Sequence, residues 1–118
     1  MNELLSVEPV DYLIIGHITQ DITPKGLVIG GTASYASLTA KAFGIKVGIV
    51  TACRSDLNLD QLAGIQIVRK DSSYTSTFEN IYTPAGRIQH VHHVADQIQL
   101  VDIPPQWRNA PIVHLGPI

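Results

Sequence analysis

The sequence predicts an α/β fold: a Rossmann-like, mostly parallel sheet with helices, plus a protruding β-hairpin lid. Tyr12–Ile15 is a short, continuous apolar run, which is typical of a strand covered on both faces. A helix of small residues follows, and Ile45–Val50 is a second candidate strand after it. Strand, helix and strand in this order form a crossover in which the two strands lie parallel. The segment 72–94, in contrast, has the composition of a hairpin with two mixed faces.

The predicted helix has a glycine pair, Gly30 and Gly31, at its start and Gly44 at its end. Glycine permits backbone angles closed to other residues and lets a ligand approach the main chain, so the pair predicts a ligand-contacting loop, the alternative being a plain turn. Thr32 is predicted as the N-cap and Gly44 as a left-handed C-cap. Lys41 is the only charge in the helix, which predicts burial on most sides. The face predicted to be buried consists of Ala33, Ala36, Ser37, Ala40 and Phe43.

The connection between Gly16 and Gly30 is longer than the about 2–6 residues that are usual for a strand-to-helix loop. We interpret it as an excursion with a turn at Pro24–Gly26 and a short returning strand. It gives the first of two predicted lid segments, about 19–29.

The second predicted lid segment is 72–94. Its arms, Tyr74–Thr83 and Arg87–Val94, flank Pro84–Gly86 and form a predicted hairpin. Neither face of the first arm is cleanly apolar, and such a hairpin is rarely stable alone. We therefore expect it to cover something polar or to pair with a partner chain.

The remaining predicted elements are short. Asp56–Leu62 is predicted as a helix of one or two turns and Ile65–Val68 as a third strand. Pro104–Arg108 can start a single helical turn, and Ile112–Leu115 is a fourth strand of the buried type. No covering helix follows that strand, so we expect one sheet face to be under-packed and the sequence to be cut off. The chain 1–118 is one domain at most.

Composition and charge exclude several classes of protein. The 45% hydrophobic and 15% charged residues are typical of a globular chain, and a net charge of -2 provides no basic surface for nucleic acid or an anionic membrane. Cys53 is the single cysteine, so no disulfide framework exists. Met1–Pro9 has no cationic n-region, and no apolar run reaches the about 20 residues that span a bilayer. We expect a soluble cytoplasmic protein.

Three sequence pieces occur in a recognisable order: a buried strand ending in GHITQD, then GGTASYASLTAKAFG, then KVGIVTA with the polar hairpin after it. This order, from about Asp11 to the end, resembles the N-terminal part of the ribokinase-like (pfkB-type) carbohydrate kinases and covers less than half of their usual length. The resemblance implies a kinase that uses ATP and Mg2+ to phosphorylate a sugar, polyol or nucleoside. The family carries a β-sheet lid that is often shared in a dimer, which implies a homodimer through the hairpin.

The resemblance also implies a set of acceptor-binding residues. The family's first strand ends in an Asn-x-Asp whose carboxylate holds sugar hydroxyls; Asp21 matches the Asp, whereas Thr19 replaces the Asn. The family's glycine loop, which touches the sugar through backbone amides, matches Gly30 and Gly31. Tyr35 stands where ribokinases proper have an Asn, which implies an acceptor other than ribose. The lid contributes three polar side chains that could reach a substrate: Asn80, Arg87 and Gln89.

The family's catalytic Gly-Ala-Gly-Asp motif is absent from this sequence, as are the residues that hold adenine. No catalytic residue is therefore predicted within 1–118, and we expect the chain alone neither to catalyse nor to bind ATP or Mg2+ tightly. Two alternatives stay open. One is a non-catalytic sugar- or nucleotide-binding or dimerisation module with a truncated ribokinase-like fold. The other is an unrelated Rossmann-like domain whose hairpin is ordinary edge sheet.

Three histidines in the second lid arm, His90, His92 and His93, invite a metal-site interpretation. His90 and His92 share a strand face while His93 points away, and no cysteine or carboxylate lies beside them in the sequence. No metal site is predicted. Cys53 is interpreted as a buried structural cysteine rather than an activated thiol, and Trp107 as a packing anchor for the last strand.

Overall fold

Two four-stranded sheets form the framework of the computed structural model, which describes residues 7–118. The absence of a signal peptide is a prediction from the segment Met1–Pro9. Residues Met1–Ser6 of this segment lie outside the described residues. Among residues 7–118, no helix has the length and apolar character needed to cross a membrane. In chain order the regular elements are β1 (Tyr12–Gly16), β2 (Thr19–Thr23), β3 (Gly26–Gly30), α1 (Thr32–Ala42), β4 (Val47–Cys53), β5 (Gln66–Asp71), β6 (Thr77–Thr83), β7 (Gly86–His93) and β8 (Ile112–Gly116).

The main sheet has the strand order β5–β4–β1–β8, and all of its strands are parallel. The central strands β1 and β4 pair in parallel with α1 between them in the sequence, which confirms the predicted strand–helix–strand unit. Every residue of β4 is buried. The α/β fold class with a mostly parallel sheet is thereby confirmed.

The second and third predicted strands are longer than their apolar runs. The run Ile45–Val50 becomes the strand Val47–Cys53, and Ile65–Val68 becomes Gln66–Asp71. The parallel ladder between β4 and β5 continues to the pair Cys53–Asp71, so backbone pairing extends both strands past the residues whose hydropathy identified them.

One predicted helix is shorter than expected, whereas the single helical turn predicted at Pro104–Arg108 is confirmed. Asp56–Leu62 contains only the turn Asp60–Leu62, and Pro104–Arg108 contains the turn Pro105–Trp107. In the first case the Asn58 side-chain oxygen accepts a hydrogen bond from the Asp60 N–H at 2.8 Å. Such local side-chain bonds compete with helix formation, which explains why the longer helix does not form.

Helix α1 begins at Thr32, the residue that was predicted to be the N-cap and therefore to precede the helix. Gly31, with φ 89°, occupies the N-cap position, and α1 starts at Thr32 without any side-chain capping bond. The prediction of Thr32 as N-cap is therefore wrong; the Gly31 carbonyl instead accepts hydrogen bonds from the Ser34 and Tyr35 N–H groups. At the other end Gly44 has φ 77° and donates to the Lys41 carbonyl, as expected for a left-handed cap.

One face of α1 is buried and the other is open. Phe43, which was assigned to the buried face, is 79% exposed, and Tyr35 is 61% exposed. The prediction of a helix buried on most sides is therefore wrong for the described part of the chain, where α1 packs with one face on β1, β3 and β4. The buried helix residues are Ala33, Ser34, Ser37 and Ala40.

Two apolar clusters lie on opposite faces of the main sheet, because neighbouring residues of a strand point to opposite sides. Ile14 belongs to the cluster beneath α1, whereas Leu13 belongs to the cluster around Trp107. Trp107 is fully buried, and its Nε1 donates to the Glu8 carbonyl at 2.8 Å. Trp107 is a packing anchor as predicted, but the cluster around it contains residues of β1 and β4 and none of the last strand.

The last strand occupies the predicted place but lacks the predicted burial. β8 pairs with β1 along its whole length. Ile112, Val113 and Leu115 are nevertheless exposed, Leu115 to 69%. The prediction of a buried strand is wrong in this respect, because β8 lies at the edge of the described sheet. The expected under-packed sheet face is found here.

The two predicted lid segments join in one sheet, which we call the lid sheet (β3, β2, β6 and β7, in this order). β2 and β3 form an antiparallel hairpin around Pro24 and Lys25, and β6 and β7 form a second one around Pro84 and Ala85. β2 pairs in parallel with β6 and so connects the two hairpins. The hairpin within 72–94 therefore does not stand alone, and its stability comes from a four-stranded sheet.

Candidate functional site

A hollow of about 240 Å3, which we call the polar hollow, lies between the lid sheet and the start of α1. Among residues 7–118, Asp21 is the only one with an ionisable side chain that lines it. Carboxylate, hydroxyl and carboxamide groups are suited to hydrogen bonding with the hydroxyls of an uncharged ligand. Four predicted site residues line the polar hollow: Asp21, Gly31, Asn80 and Gln89. Its other lining residues are Thr19, Thr32, Phe78, Pro117 and Ile118.

Asp21 lies directly against Gly30. The β2–β3 register pairs Thr19 with Gly30, and Asp21 lies two residues further along the same strand face. A Cβ at Gly30 would overlap the Asp21 carboxylate and would come within 2.9 Å of Thr19 Oγ1. The Thr19 hydroxyl in turn donates to Asp21 Oδ1 at 3.0 Å. This close approach explains why position 30 requires glycine, and the hydroxyl fixes the orientation of the carboxylate.

Gly31 brings the backbone to the wall of the polar hollow. Its φ of 89° lies in the left-handed region, and a Cβ there would come within 2.7 Å of the His17 carbonyl oxygen. The first helical N–H that bonds to the Gly31 carbonyl is that of Ser34, at 3.1 Å. The Thr32 amide therefore lies before the first N–H group that forms a hydrogen bond within the helix. Amides at the start of a helix favour an electronegative ligand group.

The lid sheet contributes a pair of carboxamides. Asn80 and Gln89 are direct partners in the β6–β7 register. Gln89 Nε2 donates to Asn80 Oδ1 at 2.9 Å. This bond uses the Asn80 acceptor, so the Asn80 amino group and the Gln89 carbonyl are the groups that can pair with a ligand.

Three predicted site residues do not line the polar hollow, although one of them, Gly30, lies against the Asp21 carboxylate that does. Tyr35 lies on the open face of α1, where it lines a separate groove together with Phe43. Arg87 is the register partner of Tyr82 near the hairpin turn, and it lies on the same strand face as Gln89, one pleat further along. Acceptor contacts by Tyr35 and Arg87 stay predictions.

Five lining residues were not among the predicted site residues: Thr19, Thr32, Phe78, Pro117 and Ile118. Thr19 lies two positions before Asp21, and Phe78 two positions before Asn80. The period of two along a strand is the signal that identifies both, because it places each pair on one face. Thr32 was not predicted as a site residue because the sequence analysis interprets it as the N-cap of the helix.

A larger cleft of about 890 Å3 adjoins the polar hollow and shares the lining residues Phe78, Gln89, Pro117 and Ile118 with it. Apolar side chains at the ends of β1 and β8 and along β7 form most of its walls. Its polar members include His17 and Ser76. The polar hollow therefore opens into a space that can hold the larger part of an extended ligand.

The three lid histidines do not converge. His92 Nε2 lies 3.1 Å from Glu79 Oε1, and the ring of His93 stacks on Tyr74 with centroids 4.7 Å apart. The rings of His90 and His92 are 6.3 Å apart. Among residues 7–118, no group of three or more His, Cys, Asp or Glu side chains could hold a metal ion. These contacts place the histidines on the surface of the lid sheet.

Cys53 is a buried residue at the end of β4, and burial raises the pKa of its thiol. The guanidinium of the neighbouring Arg54 donates two hydrogen bonds to the Asp56 carboxylate, at 3.0 and 3.1 Å. The interpretation of Cys53 as a structural cysteine is confirmed.

We expect the Cys53 thiol to react with iodoacetamide about tenfold or more slowly in the native chain than in the chain unfolded by urea, because the thiolate is the reactive form and burial disfavours it. Mass spectrometry of samples quenched over time at mildly alkaline pH measures both rates. Equal rates would contradict the buried, inert thiol.

The substitution Gly30→Ala is expected to lower the free energy of unfolding by about 1–3 kcal/mol, as overpacking does, because the new methyl group overlaps the Asp21 carboxylate. Urea denaturation measures the change. The same substitution in an Asp21→Ala background should cost clearly less, since most of the obstructing atoms are gone. An equal cost in both backgrounds would show that the carboxylate does not press on Gly30.

No family model matches the chain. Among curated proteins, a cytidine kinase of Thermococcus kodakarensis is 28% identical over 122 residues, which amounts to 92% of this chain and 44% of that protein. The chain therefore spans less than half of the length of this relative.

Solved structures of two kinases share the fold. A pyrophosphate-dependent kinase in the ribokinase family, complexed with a pyrophosphate analog and myo-inositol, matches with a TM-score of 0.68 at 23% identity, over 90% of this chain and 40% of that chain. A microbiome-derived acarbose kinase matches with a TM-score of 0.56 at 19% identity, over 71% of this chain and 37% of that chain. The chain thus has the fold of part of a ribokinase-like kinase. This confirms the resemblance and excludes an unrelated Rossmann-like fold.

Proposed function

We propose that this chain, which has the fold of the N-terminal part of a ribokinase-like kinase, forms the acceptor-binding side and the lid of an enzyme that phosphorylates a hydroxyl of a sugar, polyol or nucleoside. The observation that carries the proposal is the polar hollow, where Asp21, which lies against Gly30, meets Gly31 and the Asn80–Gln89 pair. The chain spans about two fifths of the structures it matches, so the phosphorylation is proposed for the whole protein.

The proposed binding mode assigns a hydrogen-bonding role to each wall of the polar hollow. Asp21 accepts hydrogen bonds from acceptor hydroxyls, and hydrogen bonds to a charged group contribute about 1.5–3 kcal/mol each. The backbone amides at Gly31 and Thr32 donate to hydroxyl oxygens. The Asn80 amino group and the Gln89 carbonyl pair with further hydroxyls from the lid side. Together these contacts would orient one hydroxyl for phosphorylation.

The lid sheet has a second role in the proposal. It covers the polar hollow with β2 and β6, which carry Asp21 and Asn80. A covered acceptor excludes water, and water would otherwise compete with the acceptor for the phosphoryl group. The lid sheet therefore contributes to acceptor binding and favours phosphoryl transfer to the acceptor over transfer to water.

We propose ATP and Mg2+ as the cofactors of the whole protein. Residues 7–118 do not fit either of them, because they contain no cluster of metal-ligating side chains and the sequence has no glycine-rich phosphate loop with Lys-Ser or Lys-Thr. The catalytic base and the donor site are accordingly proposed to lie beyond residue 118. One structural neighbour is a pyrophosphate-dependent kinase, so pyrophosphate is the donor to compare with ATP.

A homodimer through the lid sheet in the cytoplasm completes the proposal. Leu27, Ile81 and Ile88 are exposed on the lid sheet. Ile81 and Ile88 are the sequence neighbours of Asn80 and Gln89, and Leu27 is the register partner of Ile22, the sequence neighbour of Asp21. The three therefore point to the opposite face, which a second copy can cover. Sedimentation of the whole protein tests this assembly.

Titration calorimetry with myo-inositol, ribose and cytidine tests the proposed function. We expect at least one of the three to bind the chain, and the whole protein to transfer phosphate to that compound from ATP or pyrophosphate. Binding without turnover from either donor would favour the non-catalytic module. Failure of all three compounds to bind both the chain and the whole protein would contradict the acceptor site.

A further inference from the structure

The segment that returns from the lid sheet to the main sheet is held by side chains rather than by regular secondary structure. We call residues 95–97 the strap; it follows β7, and no helix or strand includes it. The Ala95 N–H donates to Ser76 Oγ at 3.0 Å, and the Asp96 N–H donates to Ser72 Oγ at 2.9 Å. Both hydroxyls belong to the connection between β5 and the lid sheet, so the strap is fixed on its lid side.

The strap is also fixed from the main sheet. His17 comes directly after β1, and its Nε2 lies 2.7 Å from the Asp96 carbonyl oxygen. A carbonyl oxygen only accepts hydrogen bonds, so Nε2 carries the proton and donates. Lys70, in β5, donates from Nζ to the Gln97 carbonyl at 3.0 Å. Two strand ends of the main sheet therefore hold the carbonyl groups of the strap.

The strap continues from the end of β7, the strand that pairs with β6 along the edge of the lid sheet. β7 ends at His93, two residues before the strap, and it carries Gln89 with its hydrogen bond to Asn80. The Ser76 carbonyl also accepts the Gln20 N–H at 2.9 Å, which ties the same point to β2. A displaced strap would therefore displace the β7 side of the polar hollow more than the β2 side.

We propose that His17 is a positioning residue of the acceptor site. By holding the strap against the end of β1, its imidazole sets the position of β7 and thereby of Gln89 over the polar hollow. His17 lines the adjoining larger cleft but not the polar hollow, so for an acceptor bound in the polar hollow it acts through the strap and not by contact. The link to the acceptor rests on the proposed function, whereas the mechanical link to β7 concerns the chain alone.

Amide hydrogen exchange tests the mechanical link with a matched pair of variants. His17→Ala removes the donor, whereas His17→Gln places an amide nitrogen near the position of Nε2 and keeps a donor. We expect His17→Ala to raise exchange in the strap and in β7 about tenfold, as local opening does, while exchange in α1 and β4 stays unchanged. His17→Gln should restore the native rates.

Ser72→Ala is a second, independent variant, because it removes the bond to the Asp96 N–H from the other side of the strap. It should reproduce the exchange pattern of His17→Ala. Unchanged exchange in the strap and β7, equal acceleration across the whole chain, or no rescue by His17→Gln would each overturn the proposal.

Acceptor affinity tests the functional link. For myo-inositol, ribose or cytidine, whichever binds the native chain, we expect His17→Ala to weaken binding about fivefold and His17→Gln to restore it, since a lost hydrogen bond has effects of this size. Native affinity in His17→Ala, despite faster exchange in β7, would overturn the positioning role. Absence of binding to both the native chain and the whole protein would instead refute the proposed function, and the exchange experiment would still decide the mechanical link.

Discussion

The substitution Asp21→Asn is expected to weaken acceptor binding about 100-fold, because hydrogen bonds to a charged group contribute about 1.5–3 kcal/mol each and a factor of ten corresponds to 1.4 kcal/mol. Asparagine has nearly the same shape as aspartate, so the fit against Gly30 and the hydrogen bond from Thr19 can persist. What the variant loses is the charge and one acceptor oxygen. Titration calorimetry with whichever of myo-inositol, ribose and cytidine binds the native chain measures the change.

Asp56→Asn is the matched control for this prediction. Asp56 is an exposed carboxylate paired with Arg54 at 3.0 Å, and it does not line the polar hollow. We expect it to leave acceptor affinity unchanged. Native affinity in Asp21→Asn would contradict the assignment of Asp21 to the acceptor, and an equal loss in both variants would show an unspecific effect of charge.

The substitution Trp107→Ala is expected to lower the free energy of unfolding by about 3–5 kcal/mol, the largest stability effect predicted for a single residue here. Trp107 is fully buried, and its Nε1 donates to the Glu8 carbonyl. Gly48 leaves room for it, since a Cβ at position 48 would come within 2.8 Å of the indole ring. Domains are stable by only about 5–15 kcal/mol, so the variant should lose much of its resistance to urea.

Phe43→Ala removes another aromatic ring, but an exposed one, and is therefore the control for Trp107→Ala. Surface substitutions of this kind change the free energy of unfolding by about 0.5 kcal/mol or less. Urea denaturation followed by far-UV circular dichroism serves for both variants. Similar losses from the two substitutions would contradict the account of Trp107 as the centre of the second apolar cluster.

The main sheet could be predicted because each of its strands has a recognisable pattern in its own short stretch of sequence. Tyr12–Ile15 and Ile45–Val50 are apolar without interruption, and a buried parallel strand requires this pattern. Burial was less predictable, since it depends on what covers an element. Ile112–Leu115 has the composition of a buried strand but lies at an open edge, and Phe43 follows the helical period of the buried face but extends past the sheet.

The candidate site was predictable only in part. Asp21 and Gly30 are nine positions apart, and their contact depends on the turn at Pro24 and Lys25, which sets the register that pairs Thr19 with Gly30. Composition alone does not determine such a register, so the resemblance supplied the link between the carboxylate and the glycine pair. The pairing of the two lid hairpins through β2 and β6 has no local signal, because parallel strands distant in sequence meet only in the folded chain.

The most direct test of the acceptor site is an NMR titration of the 15N-labelled chain with myo-inositol, ribose and cytidine in turn. For the compound that binds, we predict saturable chemical-shift changes. They should affect the backbone amides of Gly30, Gly31 and Thr32 and the side-chain amides of Asn80 and Gln89. The Phe43 amide, beside the separate groove on α1, should not move. Saturable shifts confined to that groove or to any other surface, with the polar hollow unaffected, would contradict the account.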